Sequence, residues 1–413
     1  MIFVEFYRVE GVINISTAPT TTTAIFLILS KLFLAILFVD KKEDFKMKFL
    51  TNKNSLMEAI SNVQKAITGK STLPILQGIY INAHKNTLTL MGSDIDVCIE
   101  TKIDANIIEE GSIVVDSKIF GEIIRKLPNS ELQITTLEDG AIEIICEKSC
   151  VNLIHMDAND YPLLPDINED TIFSIEQKIL KNMIKGTIFA VAPDETRPIL
   201  TGVLFEIKDY KLNLIALDGF RVAFRSEPIN CSDNKEAVIP GKTLNEVSKI
   251  LEDSDNEVKI TFTNNHILFN IGNTKVISRL LDGEFIKYAS IIPQEYKLKV
   301  NVNKNDILSC IERASLVAKN GNTNLVKLDI SEDSIVITSN SQLGKSREEV
   351  SIVLQGEALK IAFNSKYLID AFKNIEEENV VMELSSSVSP CVIKNKENDN
   401  CTYLVVPVRV LNY

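Results

Sequence analysis

The 413-residue chain is 45% hydrophobic and 24% charged, the composition of a folded protein, and is too long for one ordinary core. A net charge of -12 argues against bulk attraction to nucleic acid, so a polyanion would have to be held by locally placed cations. Seven cysteines without a CxxC pair read as thiols of a reducing cytoplasm, and His84, His155 and His266 lack ligand spacing, so no metal or other cofactor is expected.

Residues 1 to 46 stand apart from the rest. AIFLILSKLFLAILFV, 24 to 39, is a nearly continuous apolar run broken by Lys31, shorter than the roughly 20 residues that span a bilayer. Glu5 and Glu10 flank Arg8, where a signal peptide would carry a basic start. Met47 opens a sequence that fits the repeat described next. The expectation is an extension, 1-46, outside the working protein; the alternative is a membrane-tethered repeat binding protein anchored through residues 24-39.

From Met47 onward one unit occurs three times, at 47-167, 168-295 and 296-413. Each is headed by an amphipathic helix. Leu56, Ile60, Val63 and Ile67 in the first copy match Leu180, Ile184, Thr187 and Val191 in the second, and Ile307, Ile311, Ala314 and Ala318 in the third. Short strand-like runs follow, such as GIYINA and NTLTLMG, then GVLFEI and KLNLIAL.

A second helix follows in each copy: VVDSKIFGEIIRKL, VIPGKTLNEVSKIL and IAFNSKYLIDAFKNI, with Lys118, Lys242 and Lys366 spaced 124 residues apart. Phe120, Ile123, Ile124 and Leu127 align with Leu244, Val247, Ser248 and Leu251, and with Leu368, Ala371, Phe372 and Ile375. Further strands, among them ELQITTL, AIEIIC, EVKITFT and HILFNIG, complete the pattern. The fold class is α+β, three tandem domains each with two helices on largely antiparallel sheet.

Charge is segregated by secondary structure. Lys and Arg outnumber Asp and Glu in the helical segments, while strands and loops carry the acidic excess. Helices sharing one surface would present positive charge there and repel polyanions elsewhere, giving weak, sequence-blind contact to phosphate. Pairs such as Lys118 with Glu122 also fit a plain solvated helix face.

No catalytic machinery is visible: there is no GxSxG, P-loop, HExxH or Gly-rich dinucleotide turn. Asp94 and Asp218 align between copies, which leaves a hydrolase reading open, but Asp218 sits in LDGF and Asp-Gly is first a turn signal.

MKFLTNKNSLMEAI, STLPILQGI, TRPILTGVLFEI, ALDGFRVAF, SRLLDGEFIKYASIIP, FNSKYLIDAF and the terminal YLVVPVRV together resemble the bacterial replicative sliding clamp, the beta subunit of DNA polymerase III, across residues 47 to 413. The resemblance implies a non-enzymatic processivity factor: a head-to-tail homodimer of three-domain protomers, closed into a ring around double-stranded DNA, with helices lining the hole. It places Lys70, Arg197 and Lys242 toward DNA. It also implies a groove between the second and third domains for short peptides of the polymerase, the clamp loader and repair factors. The groove would be built from Leu200, Leu217, Gly219, Phe220, Arg221, Val222, Ile291, Pro390, Val406, Pro407, Val408 and Arg409. Ring closure would set Val151 and Leu153 against Leu316 and Val317, and no small-molecule substrate is implied. Ile286 stands where the family commonly has proline, and Leu411, Asn412 and Tyr413 follow VPVRV at the groove's expected edge.

Overall fold

The computed structural model of the chain describes residues 47–68, 73–162, 171–193, 196–319, 324–395 and 400–410. The extension, the apolar run at 24–39, Lys70 and residues 411–413 lie outside them. Among the described residues no helix is long and apolar enough to cross a membrane.

Among the described residues six α-helices carry the repeat: α1 (Lys53–Val63), α2 (Ser117–Lys126), α3 (Gln177–Ile188), α4 (Gly241–Ile250), α5 (Lys304–Lys319) and α6 (Ser365–Lys373). Caps start several of them. The side chain of Asn52 accepts from the Asn54 amide at 2.8 Å, Asp116 from Ile119 at 2.7 Å and Asn364 from Lys366 at 3.0 Å. The stripes expected from sequence face inward: Leu56, Ile60 and Val63, then Leu180, Ile184 and Thr187, then Ile307, Ile311, Ala314 and Ala318 are all 0% exposed. Each buried leucine or isoleucine contributes about 1.5–3 kcal/mol relative to an exposed one. Outside the stripes, Lys118, Arg125, Lys242, Lys249, Lys366 and Lys373 are exposed, and every helix but α1 carries a net positive formal charge.

α1 packs on α2, α3 on α4 and α5 on α6. Among the described residues all strand pairings are antiparallel, in sheets of thirteen, nine and four strands. The sheets run through the junctions between repeats. Val97–Asp104 of the first copy pairs with Thr274–Arg279 of the second, Val97 opposite Ser278 and Thr101 opposite Thr274. Arg221–Pro228 of the second copy pairs with Cys401–Val405 of the third, Arg221 opposite Val405 and Arg225 opposite Cys401.

The equivalent strands at the two outer limits of the repeat series have no such neighbour among the described residues. Gly344–Ser351 pairs on one side only, with Ser334–Ser341. The stretch 149–154 of strand Ser149–Asp157 pairs only with Ala141–Cys146. Both edges carry protective features: Lys345, Arg347, Glu348 and Glu349 on one, and an alternating exposed pattern on the other.

Candidate functional site

Strands Gly202–Lys208, Lys211–Leu217 and Arg221–Pro228 are nearly continuous buried runs rather than alternating ones, because both their faces are covered. One face meets α3 and α4. The other carries a separate apolar cluster of Leu200, Leu204, Ile215, Leu217, Val222, Val238, Val392 and Leu404, with Ile199, Phe224, Leu281, Tyr288, Ile292 and Val406 packed on it. The short 3-10 turn Pro198–Thr201, opened by proline, sets Leu200 into this cluster. Tyr288 stacks on Phe224 at 6.0 Å and donates its hydroxyl to Glu206 Oε2 at 2.7 Å, closing one wall.

Of the residues expected in the groove, Leu200, Leu217, Val222 and Val406 therefore lie together. Ile291 adjoins Ile292, which packs on the cluster, and Pro390 lies two residues before Val392, which belongs to it. Phe220, Ile291 and Val408 are exposed apolar residues, 59%, 38% and 38% accessible, and Arg409 is also exposed. The tail is tied to the turn and to the third repeat: the Val406 amide donates to the Phe220 carbonyl at 2.9 Å, and that of Val408 to the Ala362 carbonyl at 2.8 Å, with Pro407 half-buried between them. Ile286 is 38% exposed. Sequence reasoning missed Leu204, Ile215, Val238, Val392 and Leu404. Their signal was the run of apolar residues in GVLFEI and LNLIAL, which lacks the alternation of a one-sided strand.

Arg221 is placed differently from an open groove residue. It is 8% exposed, its Nε donating to Asp218 Oδ2 at 2.9 Å, Nη1 to Asp370 Oδ2 at 2.6 Å and Nη2 to the Phe189 carbonyl at 2.5 Å. Its guanidinium lies 4.6 Å from the Tyr367 ring centroid and 5.3 Å from that of Phe189. Asp218 and Arg221 come from the second repeat, Asp370 and Tyr367 from the third, so the arginine locks the junction. Asp218 is thereby an ion-pair partner and turn residue: its Oδ1 also accepts the amides of Phe220 and Arg221 at 2.9 and 3.1 Å, around Gly219 at φ +90°. Arg225, 7% exposed, donates to the Tyr403 hydroxyl at 3.2 Å and to the Asn374 carbonyl, a second tie across the same junction.

The first repeat has its own outer cluster, Leu76, Met91, Cys98, Val114 and Tyr161. Leu76, Met91, Cys98 and Val114 stand 124 residues before Leu200, Ile215, Val222 and Val238. Here Tyr161, 3% exposed and 5.4 Å from Tyr80, covers the cluster from within. Burial pushes its hydroxyl well above the usual tyrosine range. The first copy is filled by its own aromatics.

Arg197 and Lys242 are exposed at the start of the 3-10 turn and of α4. Val151 and Leu153 are half-buried on the free edge of the first repeat. Leu316 is 67% exposed and Val317 half-buried on α5, the helix that packs against strand Gly344–Ser351 at the other free edge. Arg313 of α5 pairs with Glu348 of that strand at 2.6 Å. No cluster of metal-ligating side chains occurs among the described residues.

Comparison with known proteins places this architecture. Three family descriptions match in series: DNA polymerase III beta subunit, N-terminal domain, over residues 47–165, its central domain over 174–287 and its C-terminal domain over 289–409. The chain is 38% identical to the beta sliding clamp of Staphylococcus epidermidis and 37% identical to that of Staphylococcus aureus, each over 374 residues, 88% of this chain and 99% of the relative. Among solved structures it is similar to the DNA polymerase sliding clamp of Bacillus subtilis, with TM-score 0.86, 37% identity and 88% and 99% of the two chains covered. The DNA polymerase III beta subunit of Thermotoga maritima superposes with TM-score 0.83 at 27% identity, covering 88% of this chain and all of that one.

Proposed function

The chain belongs to the DNA polymerase III beta-subunit family of sliding clamps, and from that premise we propose that two copies close head to tail around duplex DNA. The observation that carries this is the pair of free edges. At both internal junctions the strand type of Val97–Asp104 pairs with the strand type of Thr274–Arg279. The third member of the first type, Gly344–Ser351, and the remaining member of the second, Ser149–Asp157, each await that neighbour. Two copies satisfy both edges at once, a closed arrangement with no strand left over.

Repeating the internal register sets Leu153 of one copy opposite Gly344 of the other and Cys150 opposite Arg347. Cys150 is a free, exposed thiol. Mild oxidation of Arg347→Cys should therefore yield a covalent dimer on non-reducing gels, formed through Cys150 and absent when Cys150 is also replaced by serine. A cross-link that survives the Cys150 replacement would contradict the register.

Function then follows from topology. The basic helix faces, with Arg197 and Lys242 among their cations and Lys70 expected beside them, hold phosphate weakly and without base preference, which is what sliding requires. As the non-catalytic processivity subunit, the closed dimer keeps a polymerase at the template by tethering rather than affinity. The decisive experiment compares retention on nicked circular DNA after loading. The cross-linked dimer should resist high salt on the circle and be lost on linearisation; equal retention on linear DNA would refute encirclement.

The outer cluster of the second repeat is the docking groove for short linear segments of the polymerase, the clamp loader and repair factors, with apolar anchors seated over Leu200, Leu217 and Val222. Phe220 is an exposed rim aromatic, so Phe220→Ala should preserve the fold. It should weaken a fluorescently labelled apolar-anchor peptide by about tenfold or more in a polarisation titration. The first repeat offers no second groove while Tyr161 fills it, so the stoichiometry should be one peptide per protomer.

A further inference from the structure

The two internal junctions are copies of one another, and one of them lacks its arginine. At the second junction Arg221 is held by Asp218, Asp370 and the Phe189 carbonyl. The residues 124 positions earlier are Val97 for Arg221, Asp94 for Asp218, Glu246 for Asp370 and Lys65 for Phe189, with Thr243 for Tyr367. Both carboxylates are kept; the guanidinium and the ring beneath it are not. In their place lies a cavity of 580 Å³, lined by Asp94, Val97, Thr243, Glu246, Lys65 and Ala66 among others.

The turn retains the conformation that serves the arginine. Asp94 Oδ1 accepts the Val97 amide at 2.9 Å, as Asp218 Oδ1 accepts the Arg221 amide at 3.1 Å. Ile95 occupies the place of Gly219 and takes φ +84° against +90°. A β-branched residue at positive φ is strained, so this geometry is imposed by the surrounding junction rather than by local preference. Asp94 Oδ2, the counterpart of the oxygen that receives Arg221 Nε, accepts no hydrogen bond among the described residues. Glu246 pairs with Lys249 at 2.7 Å on the helix surface.

The cavity also has cations of its own. Lys65 turns its ammonium back to the Ser61 carbonyl and Asn62 Oδ1, both at 3.0 Å. Lys242 and Arg279 are exposed lining residues without an ion pair among the described residues, accompanied by Asp96 and Asp282. Arg279 is thus a competitor from within the chain.

We propose that the cavity at the first junction is a receptor site for a guanidinium group supplied from outside the chain, seated between Asp94 and Glu246 as Arg221 is seated between Asp218 and Asp370. A planar fork of donors fits two carboxylates and a backbone carbonyl in a way that a lysine ammonium does not. The site is separate from the apolar groove, so its occupant is recognised by charge and shape rather than by hydrophobic anchors.

Calorimetric titration of the full-length protein tests this with two probes: agmatine as a free guanidinium, and a blocked Gly-Arg-Gly peptide as a protein-borne one. Saturable binding of either probe, one per protomer, weakened about tenfold or more by Asp94→Asn, is the expected result. The tighter of the two identifies the source. Val97→Arg, which supplies the group in cis, should abolish binding and raise the melting temperature; if that variant does not fold, the isosteric Asp94→Asn still decides. Absence of binding by both probes, or binding indifferent to Asp94→Asn, overturns the proposal. Binding that appears only in Arg279→Ala overturns it as well, because the site would then be filled by the chain itself.

Discussion

Arg221→Ala should destabilise the protein by about 3–5 kcal/mol, the range for removing one partner of a buried ion pair. The side chain of Asp218 is 6% exposed and that of Asp370 25%, so truncation strands one carboxylate almost without water and a second with little, together with the Phe189 carbonyl. The loss falls on the junction between second and third repeats, where Arg221 hydrogen-bonds to Asp218, Asp370 and Phe189 together. Arg221→Lys should recover only part of it, since one ammonium cannot reach three acceptors arranged around a planar fork. Denaturant unfolding gives the magnitude, and hydrogen exchange over 217–224 and 365–373 gives the place. An Arg221→Ala protein within about 1 kcal/mol of the parent would show the network to be energetically idle.

The second large effect concerns assembly. Leu316→Asp should leave the protomer folded, because its side chain is 67% exposed in a single copy. If it meets Val151 and Leu153 of a second copy, the substituted carboxylate becomes buried in the closed dimer. An interfacial anchor of this kind contributes about 2 kcal/mol or more, so dimer affinity should fall at least about 30-fold. Light scattering should report a monomer with unchanged circular dichroism. Retention on circular DNA should drop to the level on linear DNA, since an open protomer cannot be topologically linked. A stable Leu316→Asp dimer would move the interface away from α5.

The three copies of the helix pair were legible because helix burial is periodic and local: Leu56, Ile60 and Val63 announce their face by spacing alone. The 124-residue recurrence of Lys118, Lys242 and Lys366 did the same for the order of the units. So did the basic bias of the helices, which needs only composition and element type. The outer apolar cluster of the second repeat was legible in part, through Leu200, Leu217 and Val222, and only by resemblance.

Arg221 shows why the rest was not. In sequence it reads as one more residue of a GFRV turn beside an apolar wall, and nothing nearby in the chain reveals that Asp370, 149 positions later, will receive it. Tyr161 is similar: that it fills the first outer cluster depends on where the strands bearing Met91 and Val114 meet. The sequence alone determined the repeat, its helix faces and the segregation of charge, since these rest on short-range periodicity. Only the tertiary structure decided what covers each outer cluster, which junction is locked by an arginine and which strand edges among the described residues remain free, because each depends on groups brought together from distant parts of the chain.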